Sequence, residues 1–220
     1  MNRRPLPLAI ALSATAVLLL SACGSSDEPA HDSGKIAGAD RDAGETPASP
    51  SASTSPSAAT NRPAMALPSD IKENFDGWET GDSTKDAILA DAGRAQSAVT
   101  YAVTQGSVES SALSFYQSKD ALVGSMDYVK SFVDQGATYS GTIRYYAPKI
   151  TVFDEKSAGV VYCSDESKAF SKNRKTEKVT KTPVTANSYL LYSTRLEKNA
   201  QGIWQTTDLT SERGNETCRR

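Results

Sequence analysis

The chain has 220 residues, with 24 basic and 26 acidic side chains, one histidine and three cysteines. A formal net charge of −2 is not the balance of a nucleic-acid-binding surface. The single histidine, His31, excludes catalytic arrangements built on a histidine elsewhere in the chain and removes the commonest zinc ligand from it.

Residues 1–7 carry Arg3 and Arg4, and residues 8–20 (LAIALSATAVLLL) form an apolar run. The run is too short for a bilayer-spanning helix, which takes about 20 residues, and suits the core of a signal peptide. Leu20-Ser21-Ala22-Cys23-Gly24 follows. This resembles the lipobox of bacterial lipoproteins. The resemblance implies a diacylglyceryl group on the Cys23 thiol, cleavage before it, and acyl chains that anchor the new terminus outside the cytoplasmic membrane. The competing readings are an ordinary leader with a chance cysteine, or a transmembrane anchor. The Arg3-Arg4 pair is weakly like a twin-arginine export signal. Removing residues 1–22 takes away two basic and no acidic residues, so the mature chain is more acidic still.

Residues 23–68 show no hydrophobic periodicity and include the low-complexity stretch 46–60 (TPASPSASTSPSAAT). They read as a disordered tether, averaging roughly 40 Å end to end at about 5–6 Å × √n. Such tracts can carry O-linked sugars.

Residues 69–220 are enough for one globular domain. Ser83-Thr-Lys-Asp86 resembles a capping box, and Ile88, Ala92, Ala95, Val99 and Ala102 form one helical stripe that Gly106 stops. A shorter helix is predicted around Val108, Ala112, Phe115 and Tyr116, capped by Ser107. A third holds Leu122, Met126, Val129 and Val133, from Ser118 to Gly136. The period then changes to that of strands: 138–146, an interruption at Ala147-Pro148, 149–154, and 160–166. Residues 167–182 read as a polar hairpin arm, followed by strands at 184–197 and 203–210. Helices followed by strands predict an α+β fold, with the helices packed on a bent, mainly antiparallel sheet.

That order, with Val161-Tyr-Cys-Ser-Asp-Glu166, a basic arm, Thr182-Pro183 and Gly202-Ile-Trp204, resembles actinobacterial lipoproteins of the nuclear-transport-factor-2-like cone superfamily. The resemblance covers roughly residues 70–218. It implies a cone-shaped sheet and leaves function open, because the superfamily holds isomerases, cyclases, dehydratases and non-catalytic domains.

With Cys23 used for lipid, Cys163 and Cys218 remain as an even pair, expected to be disulfide-bonded in an oxidising compartment; two buried free thiols are the alternative. No thiolate or histidine cluster suggests a metal, and no cofactor motif is present. Ser69-Asp-Ile-Lys72 lacks the companion motifs of a serine acyl-transfer site. Asn215-Glu-Thr217 matches a glycosylation sequon that, in a bacterial chain, reads as chance.

The isomerases of the superfamily use a carboxylate base beside a hydroxyl or carboxyl donor in an apolar cavity. Asp154, Asp165, Glu166 and Asp208 are the strand-region carboxylates. Tyr101, Tyr116, Tyr145, Tyr146, Tyr189 and Tyr192 are candidate donors, and no spacing singles out a pair. No catalytic residue is therefore assigned. Lys168, Lys172, Arg174, Lys175, Lys178 and Lys181 form a basic arm that would suit an anionic membrane or wall polymer; a solvated hairpin is the blander reading.

The sequence thus predicts a lipid-anchored extracytoplasmic protein. Its domain is expected to be a non-catalytic module for a small molecule or an envelope protein, without nucleic acid. The alternatives are an isomerase-, cyclase- or dehydratase-type enzyme using a carboxylate and a tyrosine, or a wall- or membrane-associated protein working through the basic arm.

Overall fold

The computed structural model describes residues 61–219. The leader, Cys23, His31 and the tether as far as residue 60 lie outside the described residues.

The first helix, α1 (Ser83–Gln105), is capped one residue earlier than the sequence suggests. The Asp82 carboxylate accepts from the N–H groups of Thr84 and Lys85 at 2.9 and 3.0 Å. Asp86 turns back to accept from Thr80 and Gly81. The helix ends at Gly106, whose φ of 68° is the left-handed cap conformation glycine favours. Ser107 completes that ending, its N–H donating to the Ala102 carbonyl at 3.0 Å, instead of capping the next helix. α2 (Ser111–Tyr116) starts after Ser110 and is shorter than predicted. α3 (Lys119–Asp134) follows Ser118 as expected.

Six strands form one mixed sheet: β1 (Ile71–Asp76), β2 (Ala137–Val152), β3 (Ser157–Asn173), β4 (Val179–Thr180), β5 (Tyr189–Lys198) and β6 (Trp204–Arg213). Their order is β1-β2-β3-β5-β6, with β4 paired to the far end of β3. β1 runs parallel to β2 and every other pairing is antiparallel. The predicted α+β class with a mainly antiparallel sheet is what the chain forms.

β1 was not predicted, and the helices are therefore not the first elements. Its alternation is real, with Ile71, Glu73 and Phe75 inward and Lys72, Asn74 and Asp76 outward. An ionisable residue in the middle inward position hides the pattern. The predicted break at Ala147-Pro148 is instead a bulge within one strand. Pairing jumps from Tyr146–Cys163 to Lys149–Val161, and Ala147 takes φ 53°. β3 likewise runs on to Asn173, through the first part of the predicted hairpin arm. Residues 184–188 are not strand: Ala186–Ser188 is a single 3-10 turn capped by Thr185.

The helices pack on one face of the sheet. Ile88, Leu89, Ile143, Tyr145, Val160, Tyr162, Leu196 and Trp204 form the core nearest the sheet. Ala95, Ala98, Ala102, Val103, Leu113, Tyr116, Val129 and Ile203 form the core between helices and β6. The α1 stripe supplies much of both, and its alanines let α2 approach closely. A third cluster surrounds the disulfide that joins Cys163 to Cys218, with Tyr146 beneath it.

Residues 61–68, assigned to the tether from sequence, run along this body. The Arg62 guanidinium pairs with the buried Asp91 carboxylate and lies over the Tyr116 ring, and Met65 and Leu67 pack on the core. The ordered domain therefore begins before Ser69.

Candidate functional site

A cavity of about 230 Å³ lies between α1, α3 and the concave face of the sheet. Its lining follows directly from element periodicity. α1 contributes Gln96, Val99 and Thr100, and α3 contributes Ser125 and Tyr128, on helical i, i+3 and i+4 spacings. β2 contributes Tyr139, Ile143 and Tyr145, and β6 contributes Leu209, Ser211 and Arg213, all at even strand spacing. β3 adds Glu166, and β5 adds Leu190 and Tyr192.

The floor is a row of aromatic rings. Tyr145 stacks on Phe75 at 4.8 Å and meets Tyr162 edge-on at 6.1 Å, and Tyr162 stacks on Tyr192 at 5.1 Å. The Tyr162 hydroxyl, fully buried, accepts from Gln96 Nε2 at 2.6 Å, which fixes the α1 side of the cavity against the sheet. At the α3 side the hydroxyls of Tyr128 and Tyr139 share a hydrogen bond of 2.5 Å. Burial raises the phenols of Tyr139, Tyr145 and Tyr192 well above their ordinary value, so all remain protonated.

One carboxylate reaches this space. Glu166 forms an ion pair of 3.0 Å with Arg213, whose Nη1 also donates to the Asn187 carbonyl at 2.7 Å. Their side chains are 23% and 49% exposed, so the pair stands at the rim. Burial raises the Glu166 pKa from its usual value; the charge and hydrogen bond of Arg213 oppose the shift without cancelling it. The same two residues line two adjoining recesses, one under Phe132 and Phe170 and one beside Thr182, Pro183 and Ser188.

Of the candidate carboxylates, only Glu166 faces the cavity. Asp154 closes the β2–β3 turn by accepting from Lys156 and Ser157. Asp165 accepts from the Ser167 N–H, and Asp208 is exposed opposite Arg195. Of the candidate tyrosines, Tyr145 and Tyr192 face the cavity. Tyr116 packs under Arg62, and Tyr101 is partly buried on α1. Tyr146 and Tyr189 pack on the disulfide cluster, where the Tyr146 hydroxyl donates to the Cys218 carbonyl.

Sequence reasoning missed Gln96, Tyr128, Tyr139 and Arg213. Tyr139 lay inside a predicted strand whose inward face the alternation with Ile143 and Tyr145 identifies. Arg213 lay beyond the predicted end of the last strand.

The basic arm is one hairpin with divided duties. Arg174 donates to the carbonyls of Val103 and Thr104, serving the exposed acceptors at the end of α1. Lys172 pairs with Asp70 at 2.6 Å. Lys181 lies over the Phe170 ring. Lys168, Lys175 and Lys178 are exposed.

No protein-family model and no curated protein sequence matches the chain. Solved structures similar to it include a ketosteroid isomerase-like protein from Erwinia carotovora atroseptica, with 16% identity and a TM-score of 0.40 over 58% of this chain and 93% of that one. A nuclear-transport-factor-2-like protein of unknown function from Shewanella oneidensis has 14% identity and a TM-score of 0.36, over 56% and 96%. An aromatic ring hydroxylase-type protein from Novosphingobium aromaticivorans has 11% identity and a TM-score of 0.40, over 56% and 87%.

Proposed function

We propose that this chain is a lipid-anchored extracytoplasmic protein whose domain holds a small, largely apolar molecule between α1, α3 and the sheet. The observation that carries the binding reading is the cavity itself. It is larger than the ~150 Å³ space that holds a benzene ring, and Val99, Ile143, Leu190, Leu209 and the tyrosine rings give it a mostly apolar wall. The anchor rests on Leu20–Gly24 alone.

Two measurements test the two halves. Titration of the full chain with tetralin, a two-ring hydrocarbon, is expected to give saturable binding that Val99→Trp abolishes by filling the cavity. Binding that survives the substitution, or none in the wild type, refutes the cavity reading. Mass spectrometry of the membrane-bound mature protein is expected to find Cys23 at the terminus, carrying acyl chains. An unmodified Cys23 there refutes the anchor.

A second reading draws on Glu166, the carboxyl whose pKa is raised beside buried phenols. This is the arrangement of a general base for proton transfer next to a carbonyl. It requires that the wild type accelerate exchange of ketone α-hydrogens for solvent deuterium and that Glu166→Gln lose the acceleration. Exchange at the buffer rate removes it. The membrane-contact reading of the basic arm draws less support, because Arg174 and Lys172 already serve partners within the domain.

A further inference from the structure

The Glu166–Arg213 pair fronts more than one space. Both residues line the apolar cavity, a second recess of about 160 Å³ that shares Tyr128, Tyr139 and Ile143 with it, and a third of about 250 Å³. Ala169 lies on both the second and the third. The pair is thus a wall common to an apolar space and an outer one of different chemistry.

The outer recess has its origin in the sheet. β3 pairs with β5 as far as Asp165 and with β4 only at Ser171 and Lys172. Between them, residues 166–170 have no strand on that side, although β2 pairs with Lys168, Ala169 and Phe170 on the other. Residues 181–188 cross this gap without joining the sheet. Pro183 has no N–H to give a ladder, and Ala186–Ser188 makes a 3-10 turn instead. The space left between the crossing segment and β3 is the outer recess. Three hydroxyl-bearing residues and one amide line it: Thr182, Thr185, Ser188 and Asn187.

The formal charges on this recess offset each other. Glu166 and Arg213 are 3.0 Å apart, and the Arg213 Nη1 bond to the Asn187 carbonyl at 2.7 Å fastens the crossing segment to the pair. An ionic head group would have to displace one member of the pair and leave its charge unmatched. A hydroxyl both donates and accepts, so it suits the carboxylate and the guanidinium together. It also suits the Thr182 and Asn187 side chains, which bond no other group among the described residues.

We infer that the cavity and the outer recess are two halves of one site for a neutral amphiphile, with a short apolar body in the cavity and an uncharged polyol head in the recess, across the Glu166–Arg213 pair. This rests on the reading of the cavity as a ligand site and specifies the ligand class.

Calorimetric titration of the full chain with 1-monooctanoylglycerol, methyl octanoate and octanoate, each below its micellar concentration, tests it. The three share an acyl chain and differ in the head: a polyol, a methyl ester and a carboxylate. The glyceride is expected to bind more tightly than octanoate, and about tenfold more tightly than the methyl ester, a difference of about 1.4 kcal/mol, although it is the more water-soluble ester. Thr182→Trp fills the recess from the exposed crossing segment and is expected to abolish the preference without weakening the methyl ester. Asn187→Ala removes only the side-chain amide and is expected to reduce the preference to about threefold. Equal affinity for the two esters in the wild type, or a preference unchanged in both variants, overturns the two-part site and leaves the cavity reading intact. Tighter binding of octanoate than of the glyceride overturns the uncharged head. If neither ester binds at millimolar concentration while tetralin does, the two-part site falls alone; if tetralin also fails to bind, both readings fall.

Discussion

The Asp91 side chain is 2% exposed and accepts from the Arg62 guanidinium and from the Trp204 N–H at 3.0 Å, with Arg94 in a looser ion pair at 3.6 Å. It ties the N-terminal segment, α1 and β6 at one point. Removing the main counter-charge leaves a buried carboxylate, a far costlier change than loss of a surface ion pair. Arg62→Ala is expected to lower stability by about 2 kcal/mol, below the buried-pair range because Arg62 is itself partly exposed; urea unfolding measures it. Glu73 provides a different test. It faces inward from β1 and accepts from the Ser97 and Thr100 hydroxyls at 2.7 and 2.6 Å. Burial raises its pKa, and those two bonds only partly offset it. The folded state thus holds this proton more tightly than the unfolded chain, so its contribution is complete below the unfolded value near 4.5 and is lost as pH rises through the folded value. Glu73→Gln is expected to remove that part of the decline in unfolding free energy on the alkaline side of 4.5. An unchanged slope contradicts the assignment.

At the scale of elements, what the sequence revealed depended on how cleanly each inward face was apolar. The α1 stripe from Ile88 to Ala102 and the stop at Gly106 were readable because one apolar row runs unbroken down the helix and the cap is glycine, although Asp91, Gln96 and Thr100 are buried beside that row. β1 was not, because Glu73 occupies its middle inward position. The bulge at Ala147-Pro148 looked like a break because local chemistry marks the missing N–H but not the partner strand that tolerates it. The cavity was half legible. Tyr145, Glu166 and Tyr192 were on the candidate lists, but which candidates face the cavity is set by strand order, and Glu166 is engaged by Arg213, beyond the predicted end of the last strand. Gly141 shows the same dependence on partners. It sits in β2 with φ 98°, opposite both β1 and β3, and a Cβ there would lie 2.0 Å from the Lys168 carbonyl oxygen. Gly141→Ala therefore forces backbone to move. It is expected to cost more than about 3 kcal/mol, well beyond the ordinary ~1 kcal/mol exchange of these residues, as read from the thermal midpoint.

For the whole molecule, the disulfide and the N-terminal segment close the two ends of the domain. Cys163 and Cys218 are 55 residues apart, a separation for which the chain-entropy model gives roughly 4 kcal/mol of stabilisation. Replacing both by serine is expected to cost about 2–4 kcal/mol and to free the C-terminal turn that the Tyr146 hydroxyl also holds. At the other end, Arg62, Met65 and Leu67 bind the approach to the domain onto its body. Between these fastened ends, α1, α3 and the sheet leave a space that the protein's own side chains do not fill. The claim that this space is a ligand site is tested most directly by a crystal structure of the full chain with tetralin. The expected result is the hydrocarbon inside the cavity, against Val99, Ile143, Leu190 and Leu209. An empty cavity at saturating tetralin, or the compound bound elsewhere, would contradict it.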